Sequence, residues 1–290
     1  MYPHYLQQSL PLENHRYALI DRALFPELEV ELPVIEVVSP LLEPQANLYP
    51  WLISMHELSA KQWVNLFTHI SESIEGKVQP MVSLFFDSEL PPEEMKNRLV
   101  HGLYIQNEFR KGFILRYYDP RVLFHLSWLW DINTFRSQLA VDAIKNWTFY
   151  LEGEWHTLSF AEKEPTKIAP ANIKINSVHR IGMINQALAK MPSITERNER
   201  KNMSIEIENL FQVALEKFKL THRNDLVAFA VCGVTIHSLF YEHSYFKALL
   251  VEGAECREYF SRSLMIVNNY QLEKAKNELL ELNDNKLNNF

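Results

Sequence analysis

The residues of this chain that are best equipped for chemistry lie side by side in one short segment, which reads Arg116, Tyr117, Tyr118, Asp119, Pro120 and Arg121. An arginine guanidinium can clamp a carboxylate with two parallel hydrogen bonds, so arginines beside an aspartate are well suited to binding. The same neighbours favour the carboxylate form of Asp119, which disfavours a role as general acid or base. These residue types therefore indicate a binding or structural site and not a catalytic one.

The elements around this segment would hold its side chains in place. Residues 113–118 are rich in β-branched and aromatic side chains and predict a buried strand. Asp119 is a typical N-cap, and Pro120 fits the first helical position, where its missing N–H costs no hydrogen bond. We therefore expect a strand-to-helix junction in which each arginine pairs with Asp119 or with a backbone carbonyl. The alternative is that one arginine is offered to a carboxylate of a partner.

Other chemically capable residues lack the spacing that catalysis or metal binding needs. His237 and His243 are separated by five residues, which is not the one-turn spacing by which a helix presents two ligands to one ion. His69 has serines nearby, but neither serine lies in the glycine pattern of a nucleophile elbow. The seven glycines form neither a P-loop nor a dinucleotide-binding fingerprint. We expect no catalytic residue, no cofactor and no metal ion.

Tryptophan is the remaining residue type that suggests a site. Six tryptophans could line a sugar-binding groove, but in a chain of this size they are more often core or interface residues. Exposed ones would be good anchors for a protein partner, because large rigid aromatics dominate interface energies. The six are Trp51, Trp63, Trp128, Trp130, Trp147 and Trp155. The candidate partner-binding residues are Trp51, Arg116, Tyr118, Asp119, Pro120 and Arg121.

The first half of the chain mixes strand and helix patterns. Strands are predicted at 17–21, 81–86, 103–107, 113–118 and 147–151, and helices at 59–73, 91–101, 123–130 and 131–145. Trp147 and Trp155 bracket an expected hairpin, with Glu152 and Glu154 flanking Gly153 in its turn. The pattern predicts a mixed α/β lobe over residues 1–160, in which helices cover a small sheet.

The second half has the pattern of a helical bundle. Residues 162–170 contain two prolines among charged residues and read as a linker. Beyond the linker, strand signals disappear and apolar residues recur at helical spacing, most clearly over 205–218. Asp225 is expected to cap an apolar helix that runs through Ile236. We therefore predict an all-α lobe over 171–290 and an α+β fold class for the whole chain.

Composition narrows the classes of partner. The formal charge of −7 at pH 7 disfavours nonspecific binding to nucleic acid, which needs a basic face. The longest apolar stretch, residues 226–236, is too short to cross a bilayer, which takes about twenty residues. Cys232 and Cys256 lack metal-type spacing and predict a reducing compartment and buried packing roles. With no signal-peptide pattern at the start, we expect a cytoplasmic protein that binds neither nucleic acid nor membrane.

The sequence resembles a known family at the Arg-Tyr-Tyr-Asp-Pro-Arg segment. Residues 116–123 look like the hallmark of the type VI secretion adaptor family, whose members are the effector chaperones called Tap or TEC. Residues 17–21 resemble the opening strand of that family. Residues 39–42 and 50–52 resemble its pair of proline-hydrophobic segments, and the helix near Pro91 precedes a strand pair as it does there. The resemblance covers the first half of the chain well and the rest loosely.

The resemblance implies a function as well as a fold. It implies a non-catalytic chaperone in the cytoplasm of a Gram-negative bacterium, which binds a secreted effector toxin and recruits it to the VgrG spike. Residues 1–160 would be the adaptor domain, and residues 171–290 would be the part specific for the cargo. One alternative is an immunity or regulatory protein that binds a single toxin partner. The other is a hydrolase that uses the region of His237 and His243 or an aromatic cleft.

Overall fold

A computed structural model describes residues 2–25, 31–39, 45–106, 109, 111–139, 142–160, 175–267 and 269–287. The chain forms two compact units, 1–178 and 179–290. The first contains an antiparallel sheet with helices, and the described part of the second contains helices only. The predicted α+β class is therefore confirmed. The predicted linker at 162–170 and residues 40–42 of the first proline-hydrophobic segment lie outside the described residues.

A seven-stranded antiparallel sheet is the framework of the first unit. The strands of this unit are β1 (His4–Tyr5), β2 (Tyr17–Ile20), β3 (Val34–Glu36), β4 (Trp51–Ser54), β5 (Val82–Phe86), β6 (Tyr104–Gln106), β7 (Gly112–Ile114), β8 (Asn146–Leu151) and β9 (Glu154–Ser159). The strand order of the large sheet is β1-β9-β8-β5-β2-β4-β3. A separate two-stranded sheet pairs β6 with β7.

The central strands are buried on both faces, because helices and aromatic side chains cover the sheet. Every residue of β2, β4 and β5 is buried. Helix α1 (Ala60–Glu75) contributes Leu66 and Ile70 to the apolar cluster that contains side chains of these strands. Ser59 and Gln62 form a capping box at its N-terminus. Helix α2 (Pro92–Gly102) follows Pro91, close to the predicted range of 91–101, and buries Met95 and Leu99.

The remaining elements of this unit are the hairpin β8–β9 and the two helices that precede it in the chain. Glu152 and Gly153 have φ angles of 51° and 92°, as a two-residue type I′ turn requires. Helix α3 (Pro120–Leu129) packs on β8, and α4 (Ile132–Leu139) packs on α2. An aromatic cluster joins α3 and α4 to β8. Its members are Tyr117, Trp130, Phe135, Trp147 and Phe160, whose neighbouring ring centroids lie 5.1–5.6 Å apart.

The strand predicted at 113–118 is wrong in length and in burial. Strand β7 ends at Ile114, which is 44% exposed, and it belongs to the two-stranded sheet. The Leu115 amide still donates to the Leu103 carbonyl, but the chain then turns, and the Asp119 amide donates to the Arg116 carbonyl. The burial that the pattern predicts comes from Leu115, Tyr117 and Tyr118, whose side chains enter the core from a turn. Alternation alone did not distinguish a strand from such a turn.

The second half of the chain is helical over its described residues. The helices are α5 (Ile175–Leu188), α6 (Arg197–Phe218), α7 (Arg223–Thr235), α8 (Ser244–Glu255), α9 (Tyr259–Ile266) and α10 (Asn269–Leu287). Helix α7 packs against α6 and α9, and its Phe229 is fully buried among aromatic rings that include Phe240 and Phe260. Among the described residues, no helix has the length and apolar character needed to cross a bilayer.

Two sequence expectations about this bundle are wrong. Asp225 does not cap its own helix, because His222 occupies the N-cap position of α7. The Asp225 carboxylate instead accepts hydrogen bonds from the amides of Glu258 and Ser261, at 2.7 and 2.8 Å, and thereby caps α9. The second error concerns the cysteines: Cys232 is buried as expected, but Cys256 is exposed.

Candidate partner-binding site

Asp119 begins helix α3 as the sequence predicts. Its carboxylate accepts a hydrogen bond from the Arg121 amide at 2.9 Å, and its carbonyl accepts from the amides of Val122 and Leu123. Pro120 occupies the first position of the helix and is buried. The Asp119 side chain is only 8% exposed, so the cap is largely buried in the first unit. Both features act within the first turn of the helix, so they can be predicted from the local sequence.

Arg121 folds back onto the same carboxylate. Its Nε donates to Asp119 Oδ1 at 3.0 Å and its Nη2 donates to Oδ2 at 2.7 Å, which is a two-point fork. The Arg121 side chain is 50% exposed. Within the described residues its Nη1 makes no hydrogen bond. Arg121 is therefore held in one orientation while part of its guanidinium faces outward.

Arg116 has a different partner from the one expected. Its Nη2 lies 2.5 Å from Oδ2 of Asp21, the residue that follows strand β2. Asp21 is 2% exposed in its side chain, and its other oxygen accepts from the Ala23 amide at 3.1 Å. The expectation that each arginine pairs with Asp119 or a carbonyl is thus correct for Arg121 and wrong for Arg116. The sequence reasoning missed Asp21, although the residue belongs to the opening segment, because no local spacing connects it with Arg116.

The four charged groups form one electrostatic cluster of two carboxylates and two guanidinium groups. Burial raises the pKa of the Asp21 carboxyl, while the nearby Arg116 opposes that rise. Burial disfavours the charged form of Arg116, but the neighbouring Tyr118 and the carboxylates of Asp21 and Asp119 together outweigh it, so the pKa of this guanidinium is raised. The hydrogen bonds from Arg121 to Asp119 raise the pKa of the Arg121 guanidinium. Both arginines therefore remain charged, and the cluster as a whole is close to neutral.

The two tyrosines of the segment anchor it to different parts of the first unit. The Tyr117 hydroxyl donates to the Leu99 carbonyl at 3.0 Å, and its ring stacks on Trp147. The Tyr118 hydroxyl donates to the Leu48 carbonyl at 3.2 Å, and its ring centroid lies 5.7 Å from the Arg116 guanidinium carbon. Burial raises the pKa of both phenols, so they act here as neutral hydrogen-bond donors.

Trp51 is a buried neighbour of a second arginine-carboxylate pair. It is 8% exposed, and the Arg22 guanidinium carbon lies 4.7 Å from its ring centroid. Arg22 also donates to Glu36 at 2.6 Å, and Glu36 lies opposite Trp51 across the β3–β4 pair. Three of the six tryptophans, Trp51, Trp130 and Trp147, are buried, and the other three are half-buried. Trp51 itself is therefore largely covered, and Arg22 lies over its ring.

The histidines of the helical unit do not converge on one point. His243 Nε2 lies 2.8 Å from a carboxylate oxygen of Glu278, and His237 Nδ1 accepts from the Leu239 amide. Glu242, between the two histidines in sequence, pairs with Lys217. In the part of the chain that the structure describes, no group of three or more histidine, cysteine or acidic side chains is placed to hold a metal ion.

Hydrogen bonds occupy both carboxylates of this cluster, while one of its guanidinium groups faces outward. A general base must reach the proton that it abstracts, yet hydrogen bonds from Arg121 and its amide already engage both oxygens of Asp119. Asp21 is engaged in the same way by Arg116 and the Ala23 amide. The chemically available feature of the site is the outward part of the Arg121 guanidinium, which can donate to a carboxylate or a carbonyl of another molecule.

Comparison with known proteins gives a single finding for this region. A family model described as a domain of unknown function (DUF4123) matches residues 16–132. The matched stretch begins just before β2, includes Asp21, Trp51 and the Arg-Tyr-Tyr-Asp-Pro-Arg segment, and covers less than half of the chain. No curated protein and no solved structure matches the chain. The part of the first unit that carries the candidate site is therefore similar to a domain whose own description assigns it no function.

Proposed function

We propose that this protein is a non-catalytic adaptor that binds a type VI secretion effector and recruits it to the VgrG spike. Two findings support the proposal together. The Arg-Tyr-Tyr-Asp-Pro-Arg segment resembles the hallmark of that adaptor family, and the DUF4123 match covers this segment and the opening strand. The family is built on a widespread bacterial domain of this kind. The partners would be an effector toxin and the spike protein, with no nucleic acid and no membrane.

The observation that carries the proposal is the state of Arg121. Its side chain is half exposed, yet two hydrogen bonds to a buried carboxylate fix its orientation. A side chain that is already ordered loses less conformational entropy when it binds a partner. Its guanidinium is also charged at every physiological pH, so it can donate to a partner carboxylate without a change in protonation. These are properties of a recognition residue on a rigid support.

The physical demands on an adaptor agree with such a site. An adaptor must hold its cargo until loading and then release it, which favours an interface of moderate area with a polar rim. Dissociation constants between nanomolar and micromolar correspond to about −12 to −8 kcal/mol. One preorganised arginine at the rim can contribute to such an interface without making it permanent, because a half-exposed charge pair contributes at most about 1 kcal/mol.

The test is affinity capture of the tagged full chain from a lysate of its own bacterium, followed by mass spectrometry. We expect a large toxin and a spike protein to be recovered together. Arg121→Ala should lower the recovery of one of the two, and Arg98→Ala serves as the matched control because Arg98 is 47% exposed and lies in the same unit. Recovery of a toxin alone would support the immunity or regulatory alternative. Recovery of neither protein would contradict the adaptor proposal.

A further inference from the structure

The helical unit contains a groove whose floor is one side of helix α7. The groove has a volume of about 720 Å³. The floor includes Val227, Ala228 and Val231, and the turn after α5 forms one wall with Ala189 and Lys190. Helix α9 supplies Leu264 and Met265 to the lining. The groove is therefore bounded by helices and lined mainly by apolar side chains.

The composition of α7 is typical of a helix that is covered by other protein on every side. From Leu226 to Val234 the helix contains only apolar residues, cysteine and glycine. A helix that is apolar all round is normally buried all round. Helices α6 and α9 cover much of α7, but Val231 remains half-buried and Thr235 is exposed at the groove. The floor of the groove therefore has the apolar sequence of a buried helix, although solvent can reach part of it.

Large apolar residues are also exposed at the end of α9 and the start of α10. Met265, which lines the groove, is 83% exposed, and the adjacent Ile266 is 87% exposed. Tyr270, at the start of α10, is 77% exposed. Single exposed apolar residues are common, but a cluster of large ones beside an apolar groove is typical of a protein-binding surface.

The rim of the groove carries an unequal distribution of charge. Glu258 and Arg262 both line the groove and pair with each other at 2.5 Å, so they largely neutralise each other. Lys190, which also lines the groove, is exposed and makes no ion pair within the described residues. The unpaired charge at the rim is therefore positive, and it is complementary to an acidic side chain on whatever occupies the groove.

We propose that this groove binds an amphipathic helix of a protein partner, with its apolar face on α7 and an acidic residue opposite Lys190. The floor runs from Asn224 to Thr235, which is roughly 16 Å at 1.5 Å per residue and suits a helix of about three turns. The lining contains no strand edge that could pair with an extended peptide. Under the proposed function, on which this part rests, the helix belongs to the effector.

The first test uses synthetic peptides and the full-length protein. The probe is a fluorescent amphipathic peptide of about 14 residues, with leucines at i, i+3, i+4 and i+7 and glutamates at one flank. Its controls are a peptide of the same composition without the helical periodicity and a peptide with lysines at the flank. We expect the glutamate-flanked helix to bind most tightly. Equal binding of the aperiodic peptide would overturn the proposal. Displacement of the bound peptide by a fatty acid would also overturn it.

Two pairs of variants locate the binding. Ala189→Trp fills the groove from an exposed position and should weaken binding by at least about tenfold, whereas Ala248→Trp, on an exposed face of α8, should leave it unchanged. Lys190→Glu should weaken binding of the glutamate-flanked peptide by about fivefold and favour the lysine-flanked one, with Lys201→Glu as the control. Unchanged binding in both groove variants would overturn the proposal.

Affinity capture with Ala189→Trp separates this inference from the proposed function. If both hold, the variant retains the spike protein and loses the effector. If the wild-type protein captures effector and spike and the variant captures the effector equally well, the groove proposal is wrong and the adaptor function stands. If the wild-type protein captures no effector and no spike but binds the peptide through the groove, the adaptor function is wrong and the groove stands.

Discussion

Arg116 and Asp21 are 95 residues apart in sequence, yet Arg116 Nη2 lies 2.5 Å from Asp21 Oδ2. The pair connects the turn before helix α3 with the residue that follows the buried strand β2. Arg121, on the other side of Asp119, donates its hydrogen bonds to Asp119 itself. The two arginines of this short segment therefore have different structural roles. Arg116 ties the segment to the sheet, and Arg121 faces outward.

The first prediction concerns that ion pair. Arg116→Met should lower the free energy of unfolding by about 2 kcal/mol, because it leaves the buried Asp21 carboxylate without its cationic partner. We place the loss below that of a fully buried pair because the Arg116 side chain is 36% exposed and partly screened by solvent. Urea unfolding of Arg116→Met, Asp21→Asn and the double variant measures the coupling. Additive losses in the double variant would show that the pair contributes nothing.

A second prediction separates capping from recognition at the start of α3. Asp119→Ala should destabilise the first unit by about 1–2 kcal/mol, since it removes the cap of the helix and the fork to Arg121. Asp119→Asn keeps an acceptor for the Arg121 amide and should lose less. The melting temperatures of the three proteins, measured beside capture of the partner, provide the test. An unchanged melting temperature in Asp119→Ala with loss of partner binding would contradict the capping role.

The third prediction is a pH dependence that arises from His15. This ring is 3% exposed and stacks on Phe85, and its Nε2 has no hydrogen-bond partner among the described residues. Burial lowers the pKa of His15 to about 4, although Asp87 and Glu13 oppose the shift. The unfolded chain, in which the pKa is about 6.5, therefore binds more protons between pH 6.5 and 4. Stability is fully present above pH 6.5 and falls as the pH decreases toward 4.

Between pH 7 and pH 5, protonation of this histidine in the unfolded chain should lower the free energy of unfolding by about 2 kcal/mol. His15→Phe retains an aromatic ring against Phe85 and removes the titrating group, so it should lose less stability over the same interval. The other acidic and basic groups titrate in both proteins, and the difference between the two urea-unfolding series isolates His15. Parallel series at the two pH values would show that the ring is not protonated on unfolding.

The fourth prediction concerns the two thiols. Cys232 is 6% exposed, and burial raises the pKa of its thiol to about 12, whereas Cys256 is exposed. Because the thiolate is the reactive form, Cys232 should react with an aromatic disulfide reagent only after unfolding. One thiol should therefore titrate rapidly in the native protein and two in denaturant. Cys256→Ser should abolish the rapid phase, and rapid labelling of Cys232 would contradict the packing of α7.

Much of the local structure could be predicted from the sequence because short-range contacts determine it. Asp119 and Pro120 specify the start of α3, since the carboxylate needs to reach only an amide two positions later. Ser59 with Gln62 and the turn at Gly153 are local in the same sense. The helical half was also predictable, because apolar spacing identifies a helix without reference to its neighbours. The strands β1, β3 and β4 were missed, since short strands carry little periodic signal.

What only the tertiary structure decided are the partners of polar groups that lie far apart in sequence. The sequence places Arg116 beside Asp119, but the packing of the turn against β2 gives it Asp21. In the same way the sequence predicts that Asp225 caps α7, but the approach of α9 makes its carboxylate the cap of that helix. A residue's chemistry and its sequence neighbours limit what it can bind. Which group it binds depends on which elements the core brings together, and that is a property of the whole fold.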